Sequence, residues 1–178
     1  MFKPKNLKPK TSAGYSLIEM VVYAAILATL AVFVSDTTIV SFKAFNQSRT
    51  NRRIVIDAET ALERIVRESR MASSVDEIQS VFDSDSSVLV LNSQVSAEDP
   101  TSIAKKFFIS GSRLVFQEGA GSARFLTAPN TSVLSFAVSK ADSAHSQAVK
   151  VSLSLEAGVG SSKTIRYFYT SAVLRGGY

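Results

Sequence analysis

Residues Gly14 to Val34 read GYSLIEMVVYAAILATLAVFV, and this stretch decides the fold. From Tyr15 onward it runs for twenty residues with only Ser16, Thr29 and one charge, Glu19, interrupting the apolar pattern. Twenty apolar residues in a helix rising 1.5 Å per residue cover about 30 Å, the thickness of a bilayer's hydrocarbon core. The carboxylate is the anomaly. At a helix centre in lipid it costs roughly 2.5 to 3.5 kcal/mol, and less near an end, so a charge kept in such a run is expected to be paired or functional.

Four readings compete for the stretch. A secretory signal peptide has a shorter apolar region and no charge inside it. A plain signal anchor is the ordinary outcome for one hydrophobic segment near an N-terminus. A lipoprotein signal needs a cysteine to acylate, and the sequence contains none. The fourth reading takes the whole join together: a basic leader, Gly14, aromatic Tyr15, the tetrad Ser16-Leu17-Ile18-Glu19, then an unbroken apolar helix.

In that combination the chain resembles the type IV pilins and the pseudopilins of type II secretion. The resemblance implies that a prepilin peptidase cuts after Gly14, on the cytoplasmic side, and methylates the new amino terminus at Tyr15. Glu19 then becomes the fifth residue of the mature chain. The resemblance gives it an assembly role, pairing with the N-terminal ammonium of a neighbouring subunit so that two buried charges satisfy each other, as such charges require. Tyrosine stands where phenylalanine is commonest in the family, and the fourteen-residue leader ends Thr11-Ser12-Ala13-Gly14 with no lysine beside the glycine.

Composition fits an exported domain with an appended helix. The 178 residues are 46% apolar and 20% charged, which is ordinary for one globular domain apart from the membrane segment. A pI near 9.6 suggests nucleic acid at first sight. Four of the five surplus positive charges, however, are Lys3, Lys5, Lys8 and Lys10, and removing them leaves +1. The basic balance is therefore an orientation signal that holds the leader inside, with no nucleic-acid partner implied. Without cysteine, the exported part is held by core packing alone.

Beyond Val34 the helix is expected to continue through residues 35–72, where no proline or glycine occurs. Ile54, Ala58, Leu62, Ile65 and Val66 recur at three- and four-residue steps and form a stripe for a globular domain to pack on. Arg52, Arg53, Glu59, Glu63, Arg64, Arg67, Glu68 and Arg70 fall on the opposite, wet face, with Glu63 and Arg67 in the favourable i to i+4 order. Residues 35–53 carry no clean stripe, and β-branched Thr37, Thr38, Ile39 and Val40 are weak helix formers that permit a bend between Ser35 and Arg49. A helix from Tyr15 to Ala72 is about 87 Å long, more than the following residues can cover, so its first half needs other partners.

From Ser73 turn residues recur every eight to twelve positions between short β-branched and aromatic runs, an all-β pattern. Val149, Val151, Leu153 and Leu155 alternate with Lys150, Ser152, Ser154 and Glu156, one face buried and one wet. Further strands are expected at Val88–Leu91, Arg124–Thr127, Val133–Val138 and Thr164–Leu174. Residues 107–109 and 114–116 read as a hairpin around Ser110-Gly111-Ser112. Asn92–Ser102, with Pro100, and Lys140–Ser146 read as linkers. The expected fold class is α+β: leader 1–14, membrane or assembly helix 15–34, helix continuation 35–72, and an antiparallel β domain 73–178, which is the pilin-like arrangement the resemblance implies. The 61–70 helix end and a late aromatic strand closing on Val173-Leu174-Arg175 look like the minor subunits lettered J or W.

No catalytic constellation emerges. His145 stands in a Ser/Ala/Gln loop, no cysteine is available as a nucleophile, and no Gly-x-Ser-x-Gly elbow occurs. Asp83 and Asp85 are followed by Ser86-Ser87-Val88 without an EF-hand's glycine or distal glutamate, so they read as a solvated turn with no metal. The expectation is a non-enzymatic, cofactor-free subunit, placed in the cytoplasmic membrane with its N-terminus inside and then in a surface or periplasmic filament. Its expected partners are other pilin or pseudopilin subunits, the prepilin peptidase, a membrane-embedded assembly platform and, before assembly, the lipid bilayer. The competing class is a single-pass anchored β domain that binds a ligand or receptor and keeps its leader.

Overall fold

The computed structural model describes residues 14, 16–94, 102–143, 146–158 and 163–174. The basic leader, Tyr15, Pro100, His145 and Arg175 lie outside the described residues. One helix, α1 (Leu17–Met71), is followed by eight antiparallel strands, an α+β architecture. The chain divides into two compact units, Met1–Phe45 and Asn46–Tyr178, and α1 runs through the boundary.

α1 continues unbroken through residues 35–49, where the sequence permits a bend. The hydroxyls of Ser35, Thr37, Thr38 and Ser41 donate to the carbonyls four residues earlier at 2.7–2.8 Å. Each is satisfied within its own helix, so the weak formers do not draw the backbone into a competing local turn.

The second unit holds the core. β1 (Ser74–Val75), β2 (Leu89–Gln94), β3 (Ser102–Ser110), β4 (Arg113–Glu118) and β5 (Arg124–Phe125) form one sheet in sequence order. β6 (Thr131–Ser143), β7 (Ser146–Ala157) and β8 (Thr164–Val173) form a second. The inner faces meet around Leu89, Leu91, Phe107 and Leu114 from the first sheet and Phe136, Val138, Leu153 and Leu155 from the second. The helix adds Ile54, Ala58, Ala61 and Ile65. Burying each large aliphatic or aromatic side chain stabilises the unit by roughly 1.5–3 kcal/mol.

The β3–β4 hairpin forms as the sequence indicated. Ser110 pairs with Arg113, and Gly111 and Ser112 between them have φ of 56° and 61°. Positive φ at both turn positions is the twist-matched type I′ geometry. The Lys140–Ser146 linker is a correction: β6 continues to Ser143 and pairs with Ser146, so these residues mostly extend a second hairpin. Its polar, alanine-containing sequence carries no apolar alternation because that end stands beyond the core. The Asn92–Ser102 linker is also shorter than expected, since Asn92 to Gln94 pair with Ser102 to Ala104.

The buried stripe on α1 is rotated from its expected centre. Ala61 is fully buried, whereas Leu62 and Val66 are half-buried. Glu68, placed on the wet face by its charge, is 2% exposed. Its two oxygens meet Lys105 Nζ on β3 at 2.6 Å and Arg64 Nε at 2.8 Å. The expected Glu63–Arg67 pair gives way to Arg67 at 3.8 Å from Glu68, and the Arg64 guanidinium also lies 4.6 Å above the Phe116 ring. A buried charge persists only with partners, and here the partner comes from the sheet.

Between the helix end and β2 the chain makes a held turn. Asp76 Oδ1 accepts the amide protons of Ile78 and Gln79 at 3.0 and 3.1 Å. Glu77 pairs with Lys140 on β6, and Lys140 also reaches Asp142 at 2.7 Å. Farther on, the 83–87 segment covers the outer edge of β6: the Asp83 and Ser87 amides donate to Val138 and Phe136 carbonyls at 2.9 Å, and Phe136 donates to Asp85. Asp83 and Asp85 thus belong to an edge-covering turn, and no group of three or more metal-binding side chains occurs among the described residues. The other edge of this sheet, β8, pairs only with β7.

Lys105→Met leaves Glu68 short of its closest cation and should destabilise the second unit by about 3 kcal/mol. Glu68→Met combined with Lys105→Met should recover most of that loss, as read by chemical denaturation of the full chain. Asp142, and after it Glu77, hold the Lys140 ammonium above its ordinary range. Its stabilising contribution is therefore complete below the ordinary lysine value of about 10.4 and declines as pH rises through the higher folded value. Amide exchange at Ile78 and Gln79, corrected for intrinsic rate, should accelerate over that alkaline window in the native chain, and Lys140→Met should remove the transition.

Candidate assembly helix

The apolar side chains of α1 are exposed from Leu17 to Val34, and Ile39, Val40 and Phe42 beyond it are exposed as well. Leu17, Ile18, Leu27 and Phe33 are each at least 70% exposed, and the window is long and apolar enough to cross a membrane. An exposed apolar surface of this extent marks an interaction site, and its length and composition are consistent with a single membrane span.

Polar groups inside the window are handled locally. Thr29 Oγ1 donates to the Ile26 carbonyl at 2.8 Å. Glu19, in the first turn, receives the Tyr23 hydroxyl on Oε1 at 3.2 Å. Two effects favour a carboxylate here: the unpaired amides and positive dipole end of a helix N-terminus, and a donor one turn on. Oε2 has no hydrogen-bond partner among the described residues.

Of the residues the sequence singled out, Gly14 and Glu19 are described and Tyr15 is not. A Cβ built on Gly14 would meet nothing within 4 Å, so the local fold does not require glycine there. Tyr23 was not singled out. The signal was present in its spacing of four from Glu19, which places both side chains on one helix face. Glu68 was also missed as a buried residue, because its partner Lys105 is 37 positions away.

The described residues offer no metal cluster and no triad-like arrangement. Comparison with family models, with curated proteins and with solved structures gave no match to this chain.

Tyr23→Phe deletes only the hydroxyl. In detergent micelles it should shift the Glu19 side-chain carboxyl carbon resonance while leaving the helical backbone shifts of residues 17–34 in place. An unmoved carboxyl signal would remove Tyr23 from the Glu19 environment.

Proposed function

We propose that this chain is a pilin-like structural subunit of a type IV pilus or secretion pseudopilus. The carrying observation is the position of Glu19, the only charge in an exposed apolar helix segment and five residues past a glycine that the local fold does not need. In this reading the leader stays in the cytoplasm, a prepilin peptidase cuts after Gly14, and Tyr15 becomes the methylated N-terminus. The subunit waits in the inner membrane and is drawn by an assembly platform into a periplasmic or surface filament. The finer fold assignment, a pilin-like helix packed by its second half on a β domain, belongs to this proposal, as does the role of a minor, J- or W-like subunit that helps to initiate the filament.

Assembly in this mechanism is exchange of lipid for neighbouring helices. Apolar burial changes little when helices leave lipid for one another, so the specific term must come from packing and polar pairing. An ammonium brought to Glu19 Oε2 supplies it, with Tyr23 retaining Oε1. No reaction is catalysed, and no cofactor is used.

Mass and N-terminal sequence of the protein from cells with an active prepilin peptidase test the reading first. Expected is a chain beginning at Tyr15 and heavier by one methyl group. An intact leader would leave a single-pass anchored β domain that binds a ligand or receptor. Glu19→Ala should still be cleaved, yet enter filaments more than about tenfold less efficiently, because a buried ammonium without its counter-charge costs about 3–5 kcal/mol.

A further inference from the structure

The second unit presents two surfaces that do not meet within one copy. The first is the turn at Asp76–Gln79, whose tip residue Ile78 is 97% exposed. An isoleucine that exposed gains nothing from its own fold, yet its backbone is held on all sides. Asp76 accepts both amides of the turn tip, the Gln79 amide side chain returns to Asp76 Oδ2 at 3.1 Å, and the Ser80 amide donates to the Asp76 carbonyl at 3.1 Å. The Glu77–Lys140 pair ties the turn to β6. A preformed apolar tip loses little entropy when it docks.

The second surface is a groove of about 510 Å³ between the end of α1 and β8. Leu62, Val66 and Met71 give it an apolar floor, with Tyr169 and Thr170 of β8 along the other side. Arg67 and Arg70 line the same groove near the helix end, with Glu59 and Glu63 two to three turns earlier. Arg70 has no ion-pair partner among the described residues. The Ile78 turn has the complementary character: Asp76 and Glu77 precede Ile78, and although Lys140 pairs with Glu77 and Asp142, these three carboxylates outnumber that one ammonium.

We propose that the Ile78 turn of one copy seats in the α1–β8 groove of a second copy of this chain. Ile78 enters between Leu62, Val66 and Met71, and the acidic turn faces Arg67 and Arg70. Because the two surfaces differ, the contact is heterologous, and each copy keeps a free turn at one side and a free groove at the other. Such contacts propagate as open chains unless the rotation closes a ring. The inference rests on the subunit reading for the setting in which copies meet, and an initiating complex built this way contains more than one copy.

The chain has no cysteine, so introduced thiols are unique. Full-length Ile78→Cys and Met71→Cys chains carrying different tags are co-expressed in membranes and treated with a short bis-maleimide. Leu134→Cys, similarly exposed at 46% against 54% for Met71, replaces Ile78→Cys in the control. Expected is a dimer bearing both tags, at least about fivefold above the control, and reduced to the control level by adding Arg70→Glu to the Met71→Cys chain. No mixed dimer, or a yield equal to the control, overturns the contact. An adduct of Ile78→Cys with a different protein and none with Met71→Cys overturns the second copy as occupant. The N-terminal mass separates this outcome from the subunit reading: a processed Tyr15 terminus without the cross-link rejects only the contact, and the cross-link with an intact leader rejects only the pilin reading.

Discussion

Ala58 and Ala61 are the residues on which the second unit depends. Both are fully buried between Ile54 and Ile65, in the core that the helix shares with the two sheets. Larger residues at either position would overpack a core that already holds Phe107, Phe116 and Phe136, and would displace the helix. Interiors at crystal-like density transmit such a displacement instead of absorbing it. The pair also fixes which side of α1 turns inward, and so decides that Glu68 is buried while Glu63 and Arg67 face the groove.

That rotation explains where the sequence was legible and where it was not. Period counting weights large apolar residues, so Leu62 and Val66 pulled the expected stripe away from Ala61. The true buried face, Ile54-Ala58-Ala61-Ile65-Glu68-Ala72, has the same helical period but includes a charge that no hydrophobic pattern admits. Lys105, brought alongside by β3, and Arg64, one turn earlier on the helix, together make burial of Glu68 tolerable. The strands fared better because Val149, Val151, Leu153 and Leu155 alternate cleanly, and the Gly111-Ser112 turn has local chemistry that needs no tertiary partner. The Lys140–Ser146 hairpin lacked such signals, since its pairing is backbone to backbone over polar residues. In the apolar helix the decisive feature, one carboxylate among apolar residues, was visible directly, whereas its Tyr23 partner needed the helix geometry to be noticed.

The two edges of the β6–β8 sheet have opposite fates. The 83–87 segment bonds to the middle of the β6 edge, at Phe136 and Val138, a common protection for an otherwise sticky strand. Among the described residues β8 receives no such cover. It spans ten residues with Tyr167 and Tyr169 exposed, and Arg166 is the only charge within it. An edge of that kind left open is a hazard unless something else occupies its surroundings.

The first and second units expose apolar surface of different kinds, and the difference bears on how copies could associate. Leu17 to Val34 is apolar around its circumference, so helix contacts there tolerate many rotations and sliding registers. Lipid satisfies the same surface nearly as well, so that contact alone specifies little. In the assembly proposed above, Glu19 would narrow the choice to registers in which a cation reaches Oε2, fixing position along the helix while leaving rotation between neighbouring copies weakly constrained. A rigid turn with one exposed isoleucine is the opposite case, small in area but demanding in direction, with acidic and basic surroundings that exclude inverted docking. An association built from both would draw its extent from the helix and its rotational order from the turn and groove, with neither sufficient alone.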